Sequence, residues 1–319
     1  MLRVGIVGTN FISEWFVAAS RRTNGRVQPV AVYSRTEDRA QAFARQHGLQ
    51  RAFADYASML GEVDAVYIAS PTVAHYSQAM AAIDAGRHVL VEKTMTASAA
   101  EAEDLFAAAA RQGVVLMEAT RHLHTPTHRF IRETVQRLGT LRYAHIEKLQ
   151  YSSRYDRFRA GERINAFDPT LGNSALADIG VYCLQPALDF FGTPLSHTGH
   201  SVRLANGFEA GGSIQLDYGS MIADVVYSKI GMGVGPSTIV GEDATLAIND
   251  LAEPSNIVVL ERRGHSQVLL DIDDVSPADT MHHELIAFVD QVDNGAITAR
   301  WKNLTLASRR IMDEHLARV

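Results

Sequence analysis

The sequence predicts an α/β protein. Residues 1–120 read as a parallel sheet of stacked βαβ units, and residues 121–319 as a second α/β domain. Three observations carry this. Up to about residue 120, short strands alternate with helices through short links, the pattern of right-handed βαβ units. Those strands are apolar throughout, as strands buried on both faces are. Beyond residue 120, strands follow one another without intervening helices, which favours antiparallel pairing.

Taken in order, residues 4–7 form a buried strand. Residues 11–21 form a helix with Phe11, Ile12, Trp15, Phe16, Ala18 and Ala19 on one side. "VQPVAVYSR" (27–35) is the second strand. The helix after it opens at Thr36, a good N-cap, and stops at Gly48. "VDAVYIASP" (63–71) is a strand leading to a helix that ends near Gly86, and "HVLVEK" (88–93) is the next strand. "SAAEAEDLFAAAARQG" (98–113) is a helix between Ser98 and Gly113, followed by the strand "VVLMEA" (114–119). The second half reads as a helix near 125–138, a half-exposed strand over 141–153 and a polar loop to about 172. A helix near 175–191, strands and turns over 197–272, and helices near 279–293 and 302–317 complete it. Pro186 removes a backbone donor and is expected to bend its helix.

The 319 residues are 46% hydrophobic and 21% charged, which suits a globular chain. A net charge of −6 without a Lys/Arg run argues against a nucleic-acid partner. Cys183 is the one cysteine, so no intramolecular disulfide and no cysteine metal cluster can form. No signal-peptide pattern and no bilayer-spanning apolar run is present, and a cytoplasmic protein without membrane contact is expected. His122, His124 and His128 lack a matching Cys or carboxylate cluster, and no metal is expected.

The opening "GIVGTNFIS" (5–13) raises the first functional question. The dinucleotide fingerprint is G-x-G-x-x-G/A between a first strand and a helix. Aligned on Gly8, this chain offers Gly8-Thr9-Asn10-Phe11-Ile12-Ser13, with asparagine at the middle glycine. Asparagine tolerates positive φ, so a tight turn stays available, and the helix N-terminus offers N–H groups to a pyrophosphate. A strand-to-helix turn without ligand fits the same six residues. The second strand ends Tyr33-Ser34-Arg35, with Arg39 a helical turn later. NAD-binding proteins carry an acidic residue there. A serine and arginines suit a 2′-phosphate instead, which favours NADP while leaving NAD possible.

Glu92-Lys93 ends a parallel strand, where open α/β sheets bind ligands. Lys93 there would hold a substrate hydroxyl and favour a nearby tyrosinate. Asp178 and Tyr182, four apart in "GNSALADIGVYCL" (172–184), share a helix face and suit proton transfer at a carbinol oxygen. A solvated charge pair and a half-buried tyrosine are the plainer readings of these two motifs.

Taken together, the motifs resemble the family of glucose–fructose oxidoreductase, inositol dehydrogenase and the rhizopine-catabolism dehydrogenases (Gfo/Idh/MocA). The likeness spans nearly the whole chain, through "AVYSRTEDRAQAFA", "VDAVYIASPTVAH", "AGRHVLVEKTMT", "MEATRHLHTPTHRFI", "ALADIGVYCL", "STIVGEDATLAI" and "HHELIAFVDQV". Tyrosine in "DIGVY" looks most like the branch of glucose–fructose oxidoreductase, NADP-dependent xylose dehydrogenase and dimeric dihydrodiol dehydrogenase. The resemblance implies a Rossmann domain followed by a domain with an open, mostly antiparallel sheet that often makes a homodimer or homotetramer interface. It implies Tyr182 as catalytic tyrosine, Lys93 as the "EKP" lysine touching substrate and nicotinamide ribose, and Asp178 as a substrate-placing aspartate. It further implies that Ser70, Pro71, Thr72 and His75 lie along the cofactor, and that Glu92 and Arg121 line the nicotinamide end. Asn10, Thr94 in place of the proline of "EKP", and Asn173-Ser174 in place of glycines depart from the family pattern. A cis bond before threonine costs about 2.5–4 kcal/mol, so a trans bond is expected at Lys93–Thr94.

The expected function is hydride transfer between NADP and a carbinol or carbonyl carbon of a sugar, polyol or cyclic diol. The alternative is a non-catalytic NAD(P)-binding sensor or regulatory protein on the same fold.

Overall fold

The computed structural model describes residues 1–295 and 297–318. The chain divides into two compact units: residues 1–124 with 277–306, and residues 125–276 with the segment from 307 onward.

In the first unit, strands β1 (Leu2–Val7), β2 (Val27–Tyr33), β3 (Arg51–Phe53), β4 (Ala65–Ile68), β5 (His88–Glu92) and β6 (Leu116–Ala119) form one parallel sheet. Its order is β3-β2-β1-β4-β5-β6. Helices α1 (Phe11–Ser20), α2 (Glu37–His47), α3 (Tyr56–Leu60), α4 (His75–Asp84) and α5 (Ala99–Gln112) are the crossovers. The apolar strands are buried on both faces. Val4, Ile6, Ala65, Tyr67 and Leu90 pack in one layer, with Phe16 stacked on Tyr67 at 4.2 Å between ring centroids. Val66, Ile68, Val89 and Val91 pack in the other, with Ala102, Leu105 and Phe106 of α5. The sequence reading missed β3 and α3, which are three and five residues long, too short for a periodic signal.

In the second unit, α6 (Pro126–Val135) leads to β7 (Leu141–Leu149), and the polar loop holds the short helix α7 (Tyr155–Arg159) and two 3₁₀ turns, Asn165–Phe167 and Pro169–Leu171. A π-helical turn, Leu176–Gly180, runs into α8 (Val181–Phe191), which continues through Pro186. Strands β8 (Ser196–Arg203), β9 (Glu209–Asp217), β10 (Ile222–Ser228), β11 (Ser237–Gly241), β12 (Ala244–Ile248), β13 (Asn256–Glu261) and β14 (Ser266–Asp271) follow. With β7 they make an open sheet ordered β14-β13-β12-β11-β7-β10-β9-β8. Every pairing is antiparallel except β7 with β10. That parallel pair is possible because the chain between the two strands is long enough to cross back. Ala144 and Ile146 of β7 and Ala223, Val225 and Tyr227 of β10 alternate to the buried side. The π turn and α8 pack against β7 and β10.

Three further helices close the chain: α9 (Pro277–Thr280), α10 (His282–Asp293) and α11 (Ala299–Arg318). The sequence reading assigned everything after residue 120 to the second domain. In the structure residues 277–306 group with the first unit. The cause is apolar: Met281, Leu285, Phe288 and Val289 are buried in the layer that holds Val4, Ile6 and Phe16. Among the described residues no helix is long and apolar enough to cross a membrane.

Gly180 sets how closely the π turn meets the sheet. A Cβ there would lie 2.7 Å from Leu176 Cδ1 and 3.0 Å from Tyr227 Cγ. Glycine to alanine inside a helix ordinarily stabilises by about 1 kcal/mol. Here overpacking reverses the sign, and Gly180→Ala is expected to destabilise by about 1–3 kcal/mol in urea unfolding. Stabilisation would show that the close contact sets no limit.

Candidate active site

The first unit brings its candidate residues to the carboxyl ends of its parallel strands. Gly8, directly after β1, takes φ +111°, and a Cβ on it would lie 3.0 Å from the Ala69 carbonyl oxygen. Only glycine fits there without strain. Asn10 takes φ −99° and is the N-cap of α1, so the positive φ that asparagine tolerates is not used here. Its side chain works on both sides of the turn. Oδ1 accepts from Ser13 N–H at 3.2 Å, and Nδ2 donates to the Ala69 carbonyl at 2.8 Å. The asparagine thus clips the glycine turn to the end of β4, and the helix N-terminus lies open beside an exposed Phe11. Arg35 and Arg39 are exposed just beyond β2, with Ser34 partly buried beside them. A backbone cradle that a Cβ would fill, a helix N-terminus and two free-standing surface arginines fit a dinucleotide carrying a 2′-phosphate.

The loops after β4 and β5 are tied together by His75. Its ring is buried, with Nε2 2.8 Å from the Ser70 carbonyl and Nδ1 3.1 Å from the Thr94 carbonyl. Burial pushes its pKa down despite these carbonyls, so the ring is neutral and donates to one of them at a time. His75 is therefore a crosspiece beneath the loop, while Ser70, Pro71 and Thr72 form the loop itself. Ser70 Oγ donates to Gln78 Oε1 at 2.6 Å. The Lys93–Thr94 peptide bond is cis, against the trans bond expected without proline. The segment around it is fixed by side chains: Met95 N–H donates to Glu118 Oε1 at 2.8 Å, and Thr305 Oγ1 donates to Glu118 Oε2 at 2.9 Å. Glu92 accepts from the Tyr67 hydroxyl at 2.5 Å. Burial raises its pKa, against the lowering effects of Tyr67, Lys93 and Arg121. Arg121 is itself buried and donates to Thr280 Oγ1 at 3.2 Å.

The second unit carries Asp178 in the π turn and Tyr182 in the first turn of α8. A π turn widens the helix and is frequent at functional sites. Its start is capped twice: Glu209 Oε2 accepts from Leu176 N–H at 2.9 Å, and Ser174 Oγ accepts from Ala177 N–H at 3.0 Å. Asn173 Nδ2 donates to the Asn165 carbonyl at 2.7 Å, closing the polar loop onto the helix start. The two residues that replace family glycines are thus built into the loop and the cap.

Two residues that the sequence reading missed hold this face. Lys229, after β10, donates from Nζ to Asp178 Oδ2 at 2.7 Å and to the Ala166 carbonyl at 3.2 Å. The same ammonium lies 5.1 Å from the Phe167 ring centroid and 5.6 Å from that of Phe208. Lys148 of β7 lies 5.6 Å from the Tyr182 ring centroid. The signal for both was register. Lys148 continues the inward series Ala144, Ile146, and Lys229 continues Ala223, Val225, Tyr227.

The three histidines of "RHLHTPTH" go separate ways. His122 is buried, His124 packs on Trp301 at 4.3 Å, and His128 Nε2 lies 2.9 Å from Asp189 Oδ2. Among the described residues no group of three or more His, Cys, Asp or Glu side chains is arranged to hold a metal. Cys183 is buried, and burial pushes its thiol pKa up.

Gly8→Ala is expected to weaken NADP binding by about tenfold or more, because the new Cβ meets a backbone carbonyl at a positive φ. Fluorescence titration with NADPH measures it, and an unchanged Kd would remove the turn from the cofactor site.

Comparison with known proteins places the chain among oxidoreductases. Residues 2–120 match the model of an oxidoreductase family with an NAD-binding Rossmann fold. The chain is 36% identical to scyllo-inositol 2-dehydrogenase (NADP(+)) IolU of Bacillus subtilis (strain 168), over 98% of this chain and 96% of that protein. It is 34% identical to D-xylose 1-dehydrogenase (NADP(+)) 2 of Haloferax volcanii, over 60% of this chain and 57% of that one. KijD10, a 3-ketoreductase from Actinomadura kijaniata solved with NADP and TDP-benzene, matches with a TM-score of 0.85 and 25% identity, over 99% and 97% of the two chains. With a relative this similar along almost its entire length, the chain belongs to the Gfo/Idh/MocA family of oxidoreductases.

Proposed function

We propose that this oxidoreductase is an NADP-dependent dehydrogenase or reductase acting on a secondary alcohol or lactol of a sugar, polyol or cyclic diol. The observation that carries the reading is the Asp178–Tyr182 face, a carboxylate and a phenol one helical turn apart, with Asp178 fixed by a buried lysine. The names of the relatives support the substrate class, since they include an inositol and a xylose dehydrogenase.

Gly8, Thr9, Asn10, Phe11 and Ile12 would hold the pyrophosphate, and Ser34, Arg35 and Arg39 the 2′-phosphate. Ser70, Pro71 and Thr72 would lie along the cofactor, with His75 bracing them and Glu92 and Arg121 toward the nicotinamide. The bound cofactor supplies a nicotinamide C4 that accepts or donates hydride. In the oxidation direction Tyr182 takes the hydroxyl proton, Lys93 anchors the oxygen and stabilises its negative charge, and Asp178 places the substrate. In reduction the same groups act in reverse.

We also infer a cytoplasmic homodimer or homotetramer that uses the open sheet. Tyr143, Ile222 and Val202 are 39%, 41% and 57% exposed on its strands, which supports burial of that face against another copy. Light scattering that shows a monomer at micromolar concentration would end this part of the reading.

Tyr182→Phe is expected to lower kcat by about a hundredfold or more with NADP and scyllo-inositol or D-xylose, while the NADPH Kd stays within about twofold. Unchanged turnover would sink the assignment of Tyr182. The double variant Arg35→Ala, Arg39→Ala is expected to lose about tenfold or more in NADP affinity with little change for NAD. Equal losses for both cofactors would place the 2′-phosphate elsewhere.

A further inference from the structure

The buried side of the second unit's sheet carries two lysines beneath the Asp178–Tyr182 face. Lys229 is accounted for by its ion pair with Asp178. Lys148 has no part in the chemistry proposed for Tyr182, Lys93 and Asp178. Its side chain is 16% exposed, in register with the buried Ala144 and Ile146. A lone ammonium in that position would be costly. Two carboxylates from the segment after β12 clamp it: Asp250 Oδ2 at 2.6 Å and Glu253 Oε2 at 3.5 Å. That segment is firmly placed, since Leu251 and Ala252 are buried and Asp250 Oδ1 accepts from Ala252 N–H at 2.8 Å. Burial opposes the charge on Lys148, but Asp250 and Glu253 outweigh it and hold the pKa above the ordinary lysine value. The ammonium is therefore charged at neutral pH.

We propose that Lys148 is a positioning residue for proton transfer: its ammonium, clamped by Asp250 and Glu253, lies against the Tyr182 ring, sets its orientation and stabilises negative charge as it develops on the phenol oxygen. The inference rests on Tyr182 being the proton-transfer group. At 5.6 Å from the ring centroid the ammonium is within cation–π range. The attraction grows as the phenol becomes phenolate, because the ring then carries more negative charge. In reduction, where Tyr182 gives up its proton, the interaction is thus stronger at the transition state than in the resting enzyme; in oxidation it favours the phenolate form that takes the hydroxyl proton. Three other carboxylates around this helix have partners of their own. Asp178 pairs with Lys229, Asp189 contacts His128 from α6, and Glu147 of β7 contacts His145.

The test compares the wild type with Lys148→Met, Lys148→Arg, Asp250→Asn and Tyr182→Phe, using two readouts. One is the pH profile of kcat with NADP and scyllo-inositol or D-xylose. The other needs no substrate: absorbance of tyrosinate at 295 nm against pH, taking the part that disappears in Tyr182→Phe. Lys148→Met keeps the side-chain length, removes the charge and leaves Asp250 and Glu253 without their ammonium. It is expected to lower kcat by about fivefold to tenfold and to move both midpoints up by about one pH unit. Lys148→Arg is expected to restore most of the rate, and Asp250→Asn to move the midpoints down or leave them in place. Wild-type midpoints in Lys148→Met would overturn the proposal, as would equal loss in Lys148→Met and Lys148→Arg without a shift. Full turnover in Tyr182→Phe would instead remove the reading of Tyr182 on which the proposal rests, whatever Lys148 does.

Discussion

The second unit is organised around one ion pair, between the buried Lys229 and the half-exposed Asp178. The lysine side chain is only 6% exposed, and an unpaired ammonium there would be strongly destabilising. Its Nζ satisfies Asp178, the Ala166 carbonyl and the faces of Phe167 and Phe208 at once. Three parts of the chain therefore meet at one atom: the sheet, the π turn and the polar loop. A loop rich in charged residues is thereby tied to the sheet. Phe167 and Phe208 form a small core with Tyr155, Phe158 and Ile164, and Lys229 ties that core to the turn and helix carrying Asp178 and Tyr182. Gly180 allows the close approach of the π turn to Tyr227, and Glu209 and Ser174 cap its start.

The first unit uses the same principle with fewer charges. Its loops lie at the carboxyl ends of parallel strands, where backbone groups no longer paired in the sheet need partners. Asn10 and Gly8 both work against the Ala69 carbonyl, His75 braces the loops after β4 and β5, and Glu118 anchors Met95. The departures from the family pattern follow this logic. Asn10 stands at a glycine position but stays at negative φ, because the turn depends on Gly8 and the asparagine side chain adds a clip. Asn173 and Ser174 exchange backbone freedom for a loop closure and a helix cap.

Most of the fold was legible in the sequence. Continuous apolar strands between capped helices announced the parallel sheet, and successive alternating strands announced the second one. The short elements β3 and α3 were not legible, because three to five residues carry no period. Nor was the return of residues 277–306 to the first unit, since an amphipathic helix shows that it buries a face but not which partner it meets. Gly8, Lys93, Asp178 and Tyr182 were singled out by motif spacing together with the family resemblance. Lys148, Lys229, Glu209 and Glu118 were not, because each acts through long-range contacts. A lysine at an inward position of an alternating strand was the available signal for the first two.

The reaction that these features serve is direct hydride transfer from a carbinol carbon to NADP. The measurement closest to it is the fate of deuterium placed on the carbinol carbons of scyllo-inositol and on C1 of D-xylose. After incubation with the enzyme and NADP, the account predicts deuterium at C4 of the reduced nicotinamide with at least one substrate, and a slower rate when chemistry limits turnover. Tight NADP binding with no deuterium reaching the nicotinamide from either substrate would contradict it.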